Sequence, residues 1–348
     1  MKNIVLIASL LLLLGCNGGT NDSKLKNYPE NIEFGSQGGT EQFTICIPEG
    51  CELITPKDCT WVEIDYIQEA AANGDSRAWI TLLISENNTQ SPRETTVTIR
   101  PKEFINIGNI IKGKGGLPKK IKIKQEGVMI ENICDLNMRM IFVKGGTFTF
   151  GTPGSNEEHL VTLDSYYIGE TEVTQAQWRA IMGSNPSEFV GDCHPVDHIS
   201  WADALAFCQR LSQLTGKRYT LPTEAQWEYA ARGGDMSNGC IYSGSNYINE
   251  VAKYGSSISG HLNVKSLKPN ELGIYDMSGN VWEWCSDWYG SLGSSPETNP
   301  RGPYSGTKRV VRGGSWSRDA EGCTVTYRGV NSPQHRGSSY GLRVVCLP

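Results

Sequence analysis

Short runs of alternating apolar and polar residues fill the first third of the chain. Val97 and Ile99 share one face of the run Thr96 to Arg100, and Ile121 and Ile123 share one face of Lys120 to Lys124. That is the period of a half-buried strand. Gly38-Gly39, Asn73-Gly74, Asn87-Asn88 and Gly115-Gly116 interrupt the runs with turn residues. The pattern predicts an all-β, immunoglobulin-like sandwich over 31–127. Six lysines between Lys112 and Lys124 read as a solvated edge strand guarded against pairing. From about Met138 the texture changes to glycine-rich loops that hold seven of the nine tryptophans. Three capping boxes mark short helices there, at Thr174 with Gln177, Ser200 with Asp203, and Thr223 with Gln226. In the second helix Trp201, Ala204, Leu205, Cys208 and Leu211 fall on one face. Little other periodicity remains, so the region 128–348 is expected to be a loop-dominated α+β domain that needs extra fixing by a metal or by disulfides.

The first sixteen residues stand apart. Lys2 precedes the apolar run Ile4 to Leu14, followed by Gly15 and Cys16; the run is too short to span a bilayer as a stable helix. Leu13-Leu14-Gly15-Cys16 resembles a lipobox. It predicts a signal peptide at 1–15, a lipid such as palmitate on Cys16, and a flexible polar tether over 16–30. The expected location is the bacterial cell envelope, with anchoring at the outer membrane. Removing Cys16 from eleven cysteines leaves ten, in a compartment where disulfides persist. Across 348 residues, hydrophobic residues at 38% and charged residues at 20% are values of a globular protein. A net charge of −5 with interspersed signs excludes an electrostatic case for nucleic acid as a partner.

Several stretches of the first region carry a family likeness: Phe34-Gly35-Ser36-Gln37-Gly38-Gly39-Thr40, Trp61-Val62-Glu63-Ile64, Arg93-Glu94-Thr95-Thr96-Val97-Thr98-Ile99 and Ile121-Lys122-Ile123-Lys124-Gln125-Glu126-Gly127. They resemble the BACON family of small modules in exported bacterial proteins. An insertion from Glu103 to Pro118 and the cysteines Cys46, Cys51 and Cys59 depart from its pattern. A carbohydrate-binding role has been attached to that family, but no sugar platform is evident here, and a spacer is the expected role.

The second region carries longer motifs: Met140-Ile141-Phe142-Val143-Lys144-Gly145-Gly146-Thr147-Phe148, Glu172-Val173-Thr174-Gln175, Leu221-Pro222-Thr223-Glu224-Ala225-Gln226-Trp227-Glu228-Tyr229, Asn270-Glu271-Leu272-Gly273-Ile274-Tyr275-Asp276-Met277-Ser278-Gly279-Asn280-Val281-Trp282-Glu283-Trp284, Arg312-Gly313-Gly314-Ser315-Trp316 and Gly341-Leu342-Arg343-Val344. Together they resemble the formylglycine-generating-enzyme (sulfatase-modifying-factor) family, which implies a compact, irregular, C-type-lectin-like fold.

Asp276 and Glu283 bracket a Gly-containing turn, and two carboxylates with backbone carbonyls make the hard-oxygen cage that calcium prefers. The resemblance implies a structural Ca²⁺ held by Asp276, Gly279, Val281 and Glu283. The alternative is that both acids cap or salt-bridge within the turn. The enzymes of the family also bind copper(I) through two cysteine thiolates, the soft ligands that select it, and oxidise a substrate cysteine with oxygen. Their pattern is Gly-Gly-Ser-x-x-Cys with a second Cys five residues on. Here Gly313-Gly314-Ser315 leads to Arg318, so the first ligand is missing. Cys323 takes the second position when counted from Ser315. Counted back from Tyr327-Arg328 and Asn331-Ser332-Pro333, the segment is shorter than in the enzymes and Cys323 matches neither. Were the domain active, Cys323, Ser315 and Trp282 would carry the chemistry.

The leading expectation is a binding domain for a protein or glycan ligand. The segment Trp316 to Tyr340 offers Trp316, Arg318, Tyr327, Asn331, His335 and Arg336, types suited to recognition, with packing and salt bridging as their plainer role. The resemblance also implies a disulfide from Cys208 to Cys346, although the family's strand cysteine falls two residues earlier, at Val344. His194 and His198 flank Pro195 and Asp197 beside Cys193, a spacing open to zinc but better suited to a hydrogen-bonded loop.

Overall fold

A computed structural model describes backbone strands from Asn31 onward. It describes side chains over 137–348 except 256–259, and at scattered positions before that. The segment 1–15, Cys16, the tether to residue 30 and the turns at Asn73-Gly74 and Gly115-Gly116 lie outside the described residues, as do the side chains of Cys46 and Cys51. The chain divides into two compact units. One includes Thr40–Ile84 and Glu94–Ile123, the other Lys124–Pro348 with Ser85–Arg93.

In the first unit, strands Asn31–Phe34, Lys119–Gln125, Arg93–Pro101 and Cys51–Ile54 lie side by side in that order, and Gly39–Pro48, Asp75–Ile84 and Val62–Ala70 form a second sheet. Val97 is buried, as its alternation requires. The stretch that departs from the family pattern contains a small hairpin, Ile105–Ile107 with Ile110–Lys112.

The second unit is a sheet-rich α+β fold with few, short helices. Its strands are β1 (Met129–Ile133), β2 (Leu136–Val143), β3 (Gly146–Phe150), β4 (His159–Leu163) and β5 (Tyr166–Gly169). Helices α1 (Gln175–Met182) and α2 (Trp201–Thr215) follow, then β6 (Arg218–Thr220) and α3 (Glu224–Ala231). Further strands are β7 (Trp282–Trp288), β8 (Glu297–Thr298), β9 (Arg309–Arg312), β10 (Gly329–Asn331), β11 (Tyr340–Gly341) and β12 (Val345–Leu347), beside a short parallel pair, Ala252–Lys253 with Ser278–Gly279. One sheet runs β1-β2-β5-β12-β6, a second β10-β9-β7-β11, and a small third β3-β4-β8.

All three helices start where the sequence places them, each with its capping box complete at Thr174, Ser200 and Thr223. Left-handed glycines end the first two, Gly183 at φ 81° and Gly216 at φ 72°. The buried face of α2 consists of Ala204, Phe207, Cys208 and Leu211. Phe207 therefore joins the predicted face, stacking on Trp178 at 5.3 Å, while Trp201 and Leu205 are only half-buried.

Cys208 and Cys346, the expected disulfide pair, are buried in the same hydrophobic cluster. Burial pushes the Cys208 thiol well up, as for a core cysteine. Buried arginines fix the loops. Arg343 bonds Glu283 through Nη2 at 2.7 Å and reaches the carbonyls of Gly169 and Tyr275, each at 2.8 Å. Arg312 pairs with Glu228 and donates to the carbonyls of Val325, Thr326 and Tyr327 at 2.9, 3.0 and 2.8 Å. Loop carbonyls that no ladder could satisfy are thereby bonded.

A third knot gathers at the start of α3. Arg328 grips Glu224 through two bonds of 2.7 and 2.8 Å, and the Glu224 N–H donates to Asp287 Oδ2 at 3.1 Å. Burial, and then the Glu224 charge, push the Asp287 carboxyl up to about 7. A carboxyl raised in the folded state binds its proton more tightly there than in the unfolded chain. It therefore costs nothing below roughly pH 4 and lowers stability as pH rises toward about 7. Asp287→Asn should remove that slope. In urea melts, the variant's stability relative to wild type is expected to improve, by on the order of 4 kcal/mol, between roughly pH 4 and pH 8.

Candidate functional site

Strand β7 organises the face that the sequence singles out. Trp282 at its start lies in register with Tyr340 of β11, and Glu283 lies opposite Arg312 of β9. Two aromatic groups extend from β7. The Trp282 ring stands 6.0 Å from Tyr327, whose hydroxyl accepts a 3.1 Å bond from Arg318 while the Arg318 guanidinium lies 5.6 Å from the Tyr327 ring centre. Tyr340 packs on Trp284 at 5.6 Å, accepts a 2.8 Å bond from Asn331 and meets His335 edge-on at 4.7 Å. Trp316 packs edge-on against Phe189 at 5.6 Å, and its indole N–H donates to Ser338 O at 3.2 Å. Arg336 sits apart from these rings, exposed and paired with Asp203 of α2. The fold thus brings Arg318 and Tyr327 into one contact chain, Asn331 and His335 into another, and sets Trp316 and Arg336 on separate supports.

Cys323 and Ser315 come together beneath this face and are fully buried. Gly314, at φ 77°, is the reason they fit: a Cβ there would lie 2.6 Å from Cys323 Sγ. Burial pushes the Cys323 thiol up to about 12, the acidic Asp319 adding to the rise, while backbone groups at Ser315 and Gly279 and the Arg318 charge oppose it. No other thiol is among the groups acting on it. A sulfur so placed stays protonated at neutral pH and is a poor metal ligand.

The turn after Tyr275 carries Asp276, Gly279, Val281 and Glu283, and three partners that sequence reasoning missed as site residues bond to it, Glu172, Arg343 and Trp227. Glu172 accepts from Asn280 Nδ2 at 2.6 Å and from Val281 N–H at 3.1 Å. Arg343 and the Trp227 indole, at 2.7 Å, occupy both oxygens of Glu283. Asp276, at φ 61°, accepts from Lys265 N–H at 2.8 Å with Oδ2. Burial, followed by the charges of Asp276 and Glu283, raises the Glu172 carboxyl far above its ordinary range. Three buried carboxyl groups therefore lie around one buried guanidinium, and their crowding and burial shift Glu172 and Asp276 toward the protonated form. Glu283 spends its lone pairs on protein donors. Among the described residues no group of three or more histidine, cysteine or acidic side chains is arranged to hold a metal ion.

The histidine loop forms a hydrogen-bonded relay. His261 Nε2 lies 2.8 Å from Asp197 Oδ2, and its Nδ1 lies 2.9 Å from His194 Nδ1. Burial, then the neighbouring His261, lowers the His194 pKa, against a smaller pull from Asp197. Asp197 also accepts from Glu188 N–H at 2.9 Å, which fixes the loop bearing Phe189. The backbone N–H of His198 donates to Gly337 O at 3.0 Å. Glu172 and Arg343 stood in the quoted motifs, but only as marks of the fold. His261 was invisible because it meets Asp197 across 64 positions.

Known proteins bear directly on this geometry. The sequence profile of the Sulfatase-modifying factor enzyme 1-like domain matches residues 127–347. The chain belongs to this family. It is 35% identical over 257 residues to the chaperone protein LppX of Paenibacillus barcinonensis, covering 59% of this chain and 88% of that protein. It is 36% identical over 189 residues to the formylglycine-generating enzyme of Streptomyces coelicolor, covering 49% of this chain but only 58% of the enzyme. Among solved structures, Treponema denticola variable protein 1 is 34% identical with a TM-score of 0.61, covering 64% of this chain and 99% of that one.

Within the sulfatase-modifying-factor domain, then, Cys323 is a buried thiol whose surroundings favour its protonated form. Thiol counting with an aromatic disulfide reagent at pH 8 should label exposed Cys193 in the native protein and leave Cys323 untouched. Cys323 is expected to react only after unfolding, at least about a hundredfold more slowly than Cys193 before it.

Proposed function

We propose that this sulfatase-modifying-factor domain is non-catalytic and binds a protein or glycan ligand on the face around Trp282. One observation carries the reading: the Arg318 guanidinium, bonded to the Tyr327 hydroxyl at 3.1 Å, stands where the enzymes need their first copper-binding cysteine. Copper(I) would then have only Cys323 to hold it, and Cys323 is buried and protonated at neutral pH. These residues do not fit a two-thiolate copper site, so no oxidation step is assigned to them. Trp316, Tyr327, Asn331 and His335 remain half-buried with Arg336 exposed at the edge, a mixture of rigid rings and polar tips suited to recognition.

The relatives carry names of both kinds, a chaperone protein and formylglycine-generating enzymes. The second reading is therefore the copper- and oxygen-dependent oxidase that activates sulfatases. The proposal further anchors the chain to the bacterial envelope, at the outer membrane, through a lipid on Cys16, with the BACON-like strands over 31–127 as a spacer. It includes a structural Ca²⁺ drawn by Asp276 and the turn carbonyls, supported by the cluster of buried carboxyl groups. No helix among the described residues is long and apolar enough to cross a membrane.

The test pairs two assays on the purified chain. Incubation with copper(I), oxygen and a sulfatase-derived cysteine peptide should leave the peptide mass unchanged and consume no oxygen. A glycan array and a peptide display screen should yield a ligand whose affinity falls about tenfold or more in Tyr327→Ala or Trp316→Ala. Formylglycine in the peptide, lost in Cys323→Ala, would establish the oxidase instead.

A further inference from the structure

The end of β7 opposite Trp282 borders a second cavity, of about 270 Å³, none of whose lining residues belongs to the face around Trp282. Asp287, His159, Glu297, Arg301, Trp288 and Glu224 line it. Asp287, Glu224 and His159 are buried polar groups at its wall, Asp287 with 4% of its surface exposed. Its Oδ2 is engaged, accepting from Glu224 N–H at 3.1 Å and from the Ser286 hydroxyl at 2.8 Å. Among the described residues no hydrogen bond reaches its Oδ1. Gly302, at φ 67°, lies close over that oxygen: an added Cβ would stand 3.2 Å from Oδ1 and 3.0 Å from Asp287 Cβ. Oδ1 is thus an acceptor open to a donor in the cavity.

The other walls define what can donate. Nδ1 of His159 lies 2.8 Å from Glu157 O. A carbonyl can only accept, so Nδ1 carries a proton, while Nε2 lies 3.7 Å from Glu297 Oε1. Glu224 is neutralised by the two bonds from Arg328, and exposed Arg301 faces Glu297 in sign. Charges of both signs leave no field that selects an ion. Trp288 supplies an apolar surface, held in place by Arg309, whose guanidinium lies 3.4 Å from one of its ring centres and 3.7 Å from a ring of Trp201 on its other side. The volume lies at the lower end of ligand cavities, about 300 Å³, which limits the occupant to a single ring.

We propose that this cavity binds a neutral, polyhydroxylated ring of monosaccharide size, one hydroxyl donating to Asp287 Oδ1, others meeting His159 and Arg301, and its apolar face lying toward Trp288. Such a ligand matches mixed donors and acceptors without bringing a charge to desolvate. This site is independent of the face around Trp282.

Saturation-transfer NMR on the purified chain with glucose, galactose and mannose at ~10 mM would detect a Kd near ~1 mM. At least one hexose should give saturable transfer. It should vanish in Ser291→Trp, which plugs the cavity from an exposed loop position, and weaken about tenfold in Arg301→Ala. Trp316→Ala should leave it unchanged, and thermal melts should show every variant folded. The proposal fails if no hexose binds, if binding survives in folded Ser291→Trp, if Trp316→Ala abolishes it, or if ethylammonium binds in the cavity while the neutral sugars do not.

Discussion

The second unit depends on arginine side chains taken out of water and surrounded by oxygens. Arg343 lies between β5, the loop before Asp276 and β7, bonding Gly169 O, Tyr275 O and Glu283 at once. Arg312 does the same for Glu228 and three successive carbonyls after Cys323. Each guanidinium has five donors in a fixed plane, enough to complete loop backbones that no sheet or helix can satisfy. A buried ion pair gains little over an apolar pair of equal volume, but removing one partner leaves a bare charge in the interior. The arrangement therefore acts mainly as a geometric constraint. It permits irregular loops at high density because it accepts only one placement of them.

That constraint also shapes the candidate face. Arg312 holds the carbonyls of Val325, Thr326 and Tyr327, so the segment bearing Tyr327 is fixed from below. Glu283 follows Trp282 in β7 and is held by Arg343, which fixes the turn before it. Between these anchors Cys323 is enclosed against Gly314, and Arg318 reaches back over Tyr327. A rigid aromatic surface is consistent with the proposed recognition role, because ordered rings lose little entropy on binding.

Legibility in the sequence followed the range of the interactions. The three helices could be read because a capping box is local, its partners three residues apart at Thr174, Ser200 and Thr223. Alternation at Val97 likewise marked its buried side. The face of α2 was read only in part, since Trp201 is drawn outward by the stacking of Arg309 on its ring. The site motifs named Glu283 and Asp276, but their partners Arg343 and Glu172 lie 60 and 108 positions from Glu283 and Asn280. No local pattern encodes such pairing. Cys208 and Cys346 do share one core, a proximity that the family resemblance suggested and no local pattern encodes.

Equilibrium urea unfolding of residues 128–348 within the full chain, for wild type and Arg343→Met under the same redox conditions, tests the claim that buried arginine pairs hold this domain. The account predicts a loss of about 3–5 kcal/mol in Arg343→Met. A midpoint and slope of Arg343→Met close to wild type would contradict it.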